Sequence, residues 1–214
     1  MFKITNGLTY TKVLFPQYPK NINKFQTKTK KNVFLSILLP IALRGNELVL
    51  EERNVMRAAF SSKNIYKIEY LAKKYKVKDF KNINFSNITM SNLSKINKEL
   101  SIKINKIPIS LMLAQSIIES GWGSSRFAQE GNALFGEWTW KTNVGIKPKG
   151  KLDANFAVKN FKNVLESINS YILNLNSHPA YSEIRQSRAL KYNQGKKSTG
   201  DESDNFLTKY AERG

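Results

Sequence analysis

The segment from Pro108 to Gly136, PISLMLAQSIIESGWGSSRFAQEGNALFG, constrains this chain more than any other. It opens with Ile109, Met112, Leu113, Ala114, Ile117 and Ile118 spread around a helical wheel, a pattern that predicts a helix buried on all sides. Two sizeable polar side chains interrupt it. Gln115 and Glu119 are four apart and so share one face, and Glu119 comes just before Gly121, a residue suited to the left-handed position that ends a helix. The expectation is a carboxyl carried to the edge of a core, where desolvation and the negative end of the helix dipole both disfavour its charged form. An acid kept neutral in this way can protonate the leaving oxygen when a glycosidic bond breaks. The same placement also fits an acid bonded to nearby backbone amides, and position alone does not choose between the two.

The strings LAQSIIESGWG (residues 113–123) and NALFG (132–136) resemble the signature of the bacterial glucosaminidase family that cuts peptidoglycan, in its Bax-type branch. Flanking blocks are similar in order and spacing: FLSILLPI from Phe34, and YILNLNSHPAY from Tyr171 to Tyr181. The resemblance runs from about residue 12 to the end. It implies a mainly α (α+β) fold, a lysozyme-like helical domain with a small β lobe, and it assigns Glu119 as general acid. It also implies one more helix beyond the terminal KYAERG.

The 214 residues, 41% of them hydrophobic, are enough for one ordinary globular domain with a real core. A formal charge of +19 from 35 basic and 16 acidic residues points to an anionic partner: nucleic acid, a membrane or an acidic wall polymer. Lys far outnumbers Arg, the residue that reads phosphate and base edges bidentately, which argues against sequence-specific nucleic-acid binding. With no cysteine, disulfides, thiolate metal sites and Cys nucleophiles are excluded. No metal or cofactor is expected. The N-terminal segment lacks the basic-then-apolar run of a signal peptide, and the apolar run from Val33 to Leu43 is too short to cross a bilayer. Either the chain is cytoplasmic or a leader is missing from it; a peptidoglycan substrate favours the second and with it the envelope or periplasm, and a monomer is expected.

In chain order, residues 1–28 read as an extended arm, because Pro16 and Pro19 discourage helix. Residues 29–214 form the glucosaminidase domain that the resemblance implies: N-terminal helices over 29–107, a catalytic core over 108–190 and a polar tail over 191–214. A long amphipathic helix starts near Thr29 and is kinked at Pro40. Helices follow at 61–75, with Ile65, Ile68 and Leu71 inward, and at 91–100. Ser124 is placed to cap a short helix through Glu130 that Gly131 and Asn132 close. Leu134–Trp140 and Asn155–Phe161 read as strands around a basic loop, Thr142–Lys151. Asn163 and Glu166 have the spacing of a capping box for the next helix. His178 and Pro179 make a turn, and Tyr181–Leu190 starts a final helix.

Trp122, Trp138 and Trp140, the only tryptophans, fall within one short window beside Glu119. Flat aromatic faces bind sugar rings, so with Gln115 these are the candidate substrate-binding residues, although core packing is the natural alternative for Trp122. A glycosidase usually needs a second group. The family places an acid in the β lobe, where Glu137 and Asp153 are the candidates, and the substrate's own 2-acetamido group is the alternative. Tyr181 matches the family's tyrosine after a His/Asn-Pro turn. His178 is the only histidine, which makes a triad or a transition-metal site a poor fit.

These observations point to an endo-β-N-acetylglucosaminidase acting on peptidoglycan or another N-acetylglucosamine glycan. The rivals are a lytic transglycosylase on the same polymer, and a non-catalytic basic module that binds wall polymer or nucleic acid.

Overall fold

The computed structural model describes residues 4–5, 7–8, 18–141, 143, 145–150 and 155–193. Among these are seven α-helices: α1 (Thr27–Ser61), α2 (Ile65–Lys74), α3 (Met90–Lys103), α4 (Ile109–Ser120), α5 (Arg126–Gly131), α6 (Val164–Ser177) and α7 (Ser182–Asn193). Five short strands accompany them: β1 (Ile4–Thr5), β2 (Gly7–Leu8), β3 (Trp138–Thr139), β4 (Gly145–Ile146) and β5 (Ala157–Lys159). The fold is therefore mainly α with a small antiparallel sheet, the lysozyme-like class expected. The chain divides into two compact units, one of residues Met1–Gly45 and Met112–Tyr171, the other of Asn46–Leu111 and Ile172–Gly214.

In the first unit, α1 supplies a buried face of Phe34, Ile37, Leu38, Ile41 and Ala42. The helix continues as one element through Pro40. It contains an 18-residue window of mean hydropathy 1.7, long and apolar enough by length and composition to cross a membrane, with 44% of that window buried in the protein. The apolar stretch is thus longer than Val33–Leu43, because the helix carries its inward face past Leu43.

The sheet of this unit has the order β3-β5-β4, all antiparallel, with Trp138 opposite Val158 and Ile146 also opposite Val158 on the other side. Strand β4 lies inside the stretch read from sequence as a basic loop, since a two-residue Gly-Ile strand leaves no periodicity to detect. The strand expected over Leu134–Trp140 is confined to β3. Its first half is a buried loop, Ala133 to Phe135.

α5 is capped by Ser125, whose hydroxyl accepts the Ala128 N–H at 3.1 Å. Ser124, the expected cap, uses its groups elsewhere: its carbonyl accepts bonds from Asn23 and Gln129. Asn132 ends α5 in the left-handed region, as read from the sequence. Asn163 caps α6 through the Glu166 N–H at 2.9 Å, while the Glu166 carboxylate reaches back to the Lys162 N–H at 3.0 Å, one residue before the cap.

In the second unit, α3 packs against α2 and α7. α2 begins at Ile65, later than the expected 61, because α1 runs to Ser61, Lys63 turns at φ +52° and Asn64 caps the new helix by accepting the Lys67 N–H. Ile68 and Leu71 are buried as expected, and Ile65 only partly. Asn46 pairs with both backbone groups of Ile107, donating to its carbonyl at 2.8 Å and accepting its N–H at 2.9 Å. This satisfies two buried groups where the chain enters α4.

Candidate active site

The first unit carries Glu119 in the last turn of α4. The helix stops through one side chain: the buried Ser120 hydroxyl donates to the Ser116 carbonyl and accepts the Gly123 N–H at 2.8 Å. Between them Gly121, Trp122 and Gly123 all lie in the left-handed region, at φ +57°, +58° and +71°. Gly123 has no substitute. A Cβ there would lie 2.2 Å from the Tyr18 ring, which packs into this gap while the Tyr18 hydroxyl donates to the Trp122 carbonyl at 3.3 Å. Burial pushes the Tyr18 phenol well above its usual range, so it acts as a permanent donor.

Trp122 is half-buried and meets Phe34 edge to face at 5.8 Å, and the Lys31 ammonium stands 5.0 Å from its ring centre. These contacts hold a non-glycine residue in a conformation that costs about 1–2 kcal/mol.

The second side of the site is the NALFG loop. Asn132 accepts the Tyr18 backbone N–H at 3.1 Å and donates to the Phe161 carbonyl at 2.9 Å, while the Leu134 N–H donates to Ser167 at 3.3 Å. The loop ends at Gly136, φ +58°, directly beneath the Glu119 carboxylate: a Cβ on Gly136 would stand 3.4 Å from Glu119 Oε2.

Glu137 follows. Its side chain is only 9% exposed, and Oε2 accepts from Lys159 Nζ at 2.7 Å and from the Ser170 hydroxyl at 2.8 Å. Its buried Oε1 has no partner among the described residues. On β3, Trp138 is 59% exposed with one edge on Phe156, and Trp140, two residues on, is 80% exposed.

A sequence model of the glucosaminidase family, described as mannosyl-glycoprotein endo-beta-N-acetylglucosaminidase, matches residues 95–212, which include this whole arrangement apart from the packing supplied by α1 and Tyr18. The chain belongs to the glucosaminidase family. It is also 30% identical over 178 residues to Protein bax of Escherichia coli (strain K12), an alignment that covers 79% of this chain and 59% of that protein. The chain therefore spans about three fifths of the relative's length. No solved structure matches it.

Within this glucosaminidase chain, the structure sets Gly136 against the Glu119 carboxylate, keeps Trp122 in the turn that follows Glu119, and places Glu137, Trp138 and Trp140 on the segment that follows Gly136. Gln115 is half-buried on α4, four residues before Glu119. Asp153 lies outside the described residues. Tyr181 belongs to the second unit, half-buried at the end of the 3-10 turn Pro179–Tyr181, with its ring 5.9 Å from His178.

Burial of α4 differs from expectation. Ile118 is 71% exposed, Leu113, Ala114 and Ile117 are half-buried, and Glu119 is exposed. Apolar composition all round the helix does not report which side the rest of the chain covers. Glu119 is therefore not desolvated by the fold in the free protein.

Sequence reasoning missed the cationic centre of the second unit. Arg188 is buried and donates to the carbonyls of Ile102, Lys103 and Lys106 and to Asn176 Oδ1, while Arg53 serves Ser101 and Ile104. Arg185 joins Leu175 to His178 through their carbonyls. Burial, then Arg185 and Arg53, push the Arg188 guanidinium down to about 9, which still leaves it charged at neutral pH. These cations close the carbonyl ends of α3 and α6, a task that the scarcity of Arg in the chain hints at only in hindsight. Among the described residues no cluster of acidic or histidine side chains could hold a metal ion.

Proposed function

We propose that this chain hydrolyses β-linked N-acetylglucosaminyl bonds in peptidoglycan, with Glu119 as the general acid. The observation that carries the reading is the placement of the Glu119 carboxylate: open to solvent, on a helix end that the Ser120–Gly123 bond holds, with Oε2 beside the bare backbone of Gly136. A group that must meet a polymer needs access, and a group that must deliver a proton needs a defined position. Covering by a glycan strand excludes water from the reacting bond. Exposed Trp138 on β3 and exposed Trp140 just after it offer flat faces to sugar rings. Gln115 and Trp122 belong to the same binding surface, Trp122 mainly by holding the turn.

Glu137 is already occupied by Lys159 and Ser170, so attack at the anomeric carbon falls to the substrate's 2-acetamido group or to water activated by Asp153. Such an enzyme works in the cell envelope or periplasm.

The deciding experiment is mass spectrometry of purified peptidoglycan after incubation with the wild type and with Glu119→Gln. Reducing N-acetylglucosamine ends are expected from the wild type, and a rate lower by at least about 10² from the variant, with an unchanged melting temperature because the side chain is exposed. 1,6-Anhydromuramic ends would reassign the chain as a lytic transglycosylase. Full activity in a folded Glu119→Gln protein would remove Glu119 from the mechanism.

A further inference from the structure

The positive charge of this chain is not evenly spread. Residues 1–46 contain seven Lys and one Arg and no acidic residue at all, the first being Glu47, although 16 acids are distributed over the 214 residues. A compositional preference for Lys over Arg would not empty a fifth of the chain of Asp and Glu. Within the described part of this segment, Lys20, Lys24, Lys28 and Lys31 are all exposed, and Lys20, Lys24 and Lys28 take no part in an ion pair among the described residues. The first turn of α1 holds no acid and carries lysines at the positive end of the helix dipole, the sign that destabilises a helix start.

The location of these lysines is specific. The 3-10 turn Ile22–Lys24 and the start of α1 both touch the turn that follows Glu119: Asn23 donates to the Ser124 carbonyl at 3.3 Å, Lys30 Nζ to the Ser124 hydroxyl at 3.1 Å, and Lys31 Nζ stands over Trp122. Lys28 and Lys31, three apart, share a face of α1, and Lys24 directly precedes the helix.

We propose that Lys24, Lys28 and Lys31 form a docking face, beside the Glu119 turn, for the free carboxylates of a glycan strand that bears acidic peptide or lactyl substituents. This rests on the glycan reading of the Glu119 site and adds to it the chemistry of the side groups that the polymer must carry. Flexible ammonium groups suit carboxylates that hang at varied angles from a strand and demand no fixed bidentate geometry. The surface raises the local concentration of an anionic polymer at the carboxyl that acts on it.

The test uses the full chain and a Lys24→Gln/Lys28→Gln variant, both outside the residues that contact the turn. Three probes are compared at low ionic strength: native peptidoglycan sacculi, the same sacculi with their carboxyls converted to amides, and neutral N-acetylglucosamine oligosaccharides. On native sacculi the half-saturating concentration should rise at least about threefold in the variant with kcat nearly unchanged, and the two proteins should converge as salt approaches about 0.5 M. On amidated sacculi and on neutral oligosaccharides they should behave alike. Equal behaviour on native sacculi, or the same loss on amidated sacculi, overturns the proposal. So does lysine-dependent binding to vesicles of anionic phospholipid, or to DNA, with sacculus binding untouched. If neither protein cleaves any probe, the hydrolase reading fails on its own. Co-sedimentation with native against amidated sacculi then still decides whether the lysines recognise carboxylates.

Discussion

Glu119 and Gly136, seventeen residues apart, meet at the centre of the candidate site: the carboxylate Oε2 stands 3.4 Å from the point that a Cβ on Gly136 would occupy, and Gly136 itself is in the left-handed region at φ +58°. The end of a helix and the end of a loop are thereby matched to within one methyl group. Neither partner is set by the other alone. Ser120 and Tyr18 fix the helix end, and Asn132 and Ser167 fix the loop.

Gly136→Ala tests this relationship. The new side chain must hold a conformation that costs about 1–2 kcal/mol, and its methyl group reaches ordinary contact with the carboxylate. A fall in melting temperature of a few degrees is expected, together with a loss in kcat of roughly tenfold or more because strain at residue 136 shifts the loop beside the carboxylate. Thermal melts combined with rates measured well below the melting temperature separate the two. A folded Gly136→Ala enzyme with wild-type kcat would show that the position of the carboxyl is not set by this loop.

Glu137 is expected to behave as a structural acid. Glu137→Gln removes the charge that Lys159 Nζ meets at 2.7 Å and weakens the bond from Ser170. Breaking a buried pair is costly, but Lys159 is 39% exposed and recovers part of its hydration. The expected loss is about 1–2 kcal/mol, with the specific activity of the folded protein within about tenfold of wild type. A hundredfold loss in kcat with an unchanged melt would instead make Glu137 the second catalytic carboxylate.

What the sequence made legible follows from how local each signal is. The stop at Gly121, the cap at Asn163 and the turn at His178 are written in a few adjacent residues, and all three are present. Placement of the α5 cap one residue late, at Ser125, reflects two adjacent serines with equal propensity; the choice is made by where the left-handed turn ends. The exposure of Ile118 and Glu119 was not legible, because it depends on which side of α4 the rest of the chain covers. Arg188 shows the opposite error. A charged residue in a polar helix reads as surface, since burial of Arg is rare, yet here the open carbonyls at the end of α3 supply the acceptors that make burial possible. Only the paired elements, distant in sequence, reveal that demand.

His178 provides a pH signature of the second unit. Its Nδ1 accepts the Ala180 N–H at 3.3 Å and so caps the 3-10 turn Pro179–Tyr181 that carries Tyr181. Partial burial, then the charges of Lys76 and Arg185, lower its pKa from the ordinary 6.5. Because the folded value is the lower one, the fold favours neutral imidazole. Its contribution is complete above about 6.5 and is lost as pH falls through the lower folded value. Protonation also turns Nδ1 from an acceptor into a donor, which cancels the cap. His178→Asn keeps a capping oxygen but does not titrate. Between about pH 7.5 and 5.5, above the range in which ordinary carboxylates titrate, the melting temperature of the wild type should fall further than that of His178→Asn. Parallel melting curves for the two proteins would show that the turn does not depend on the protonation of His178.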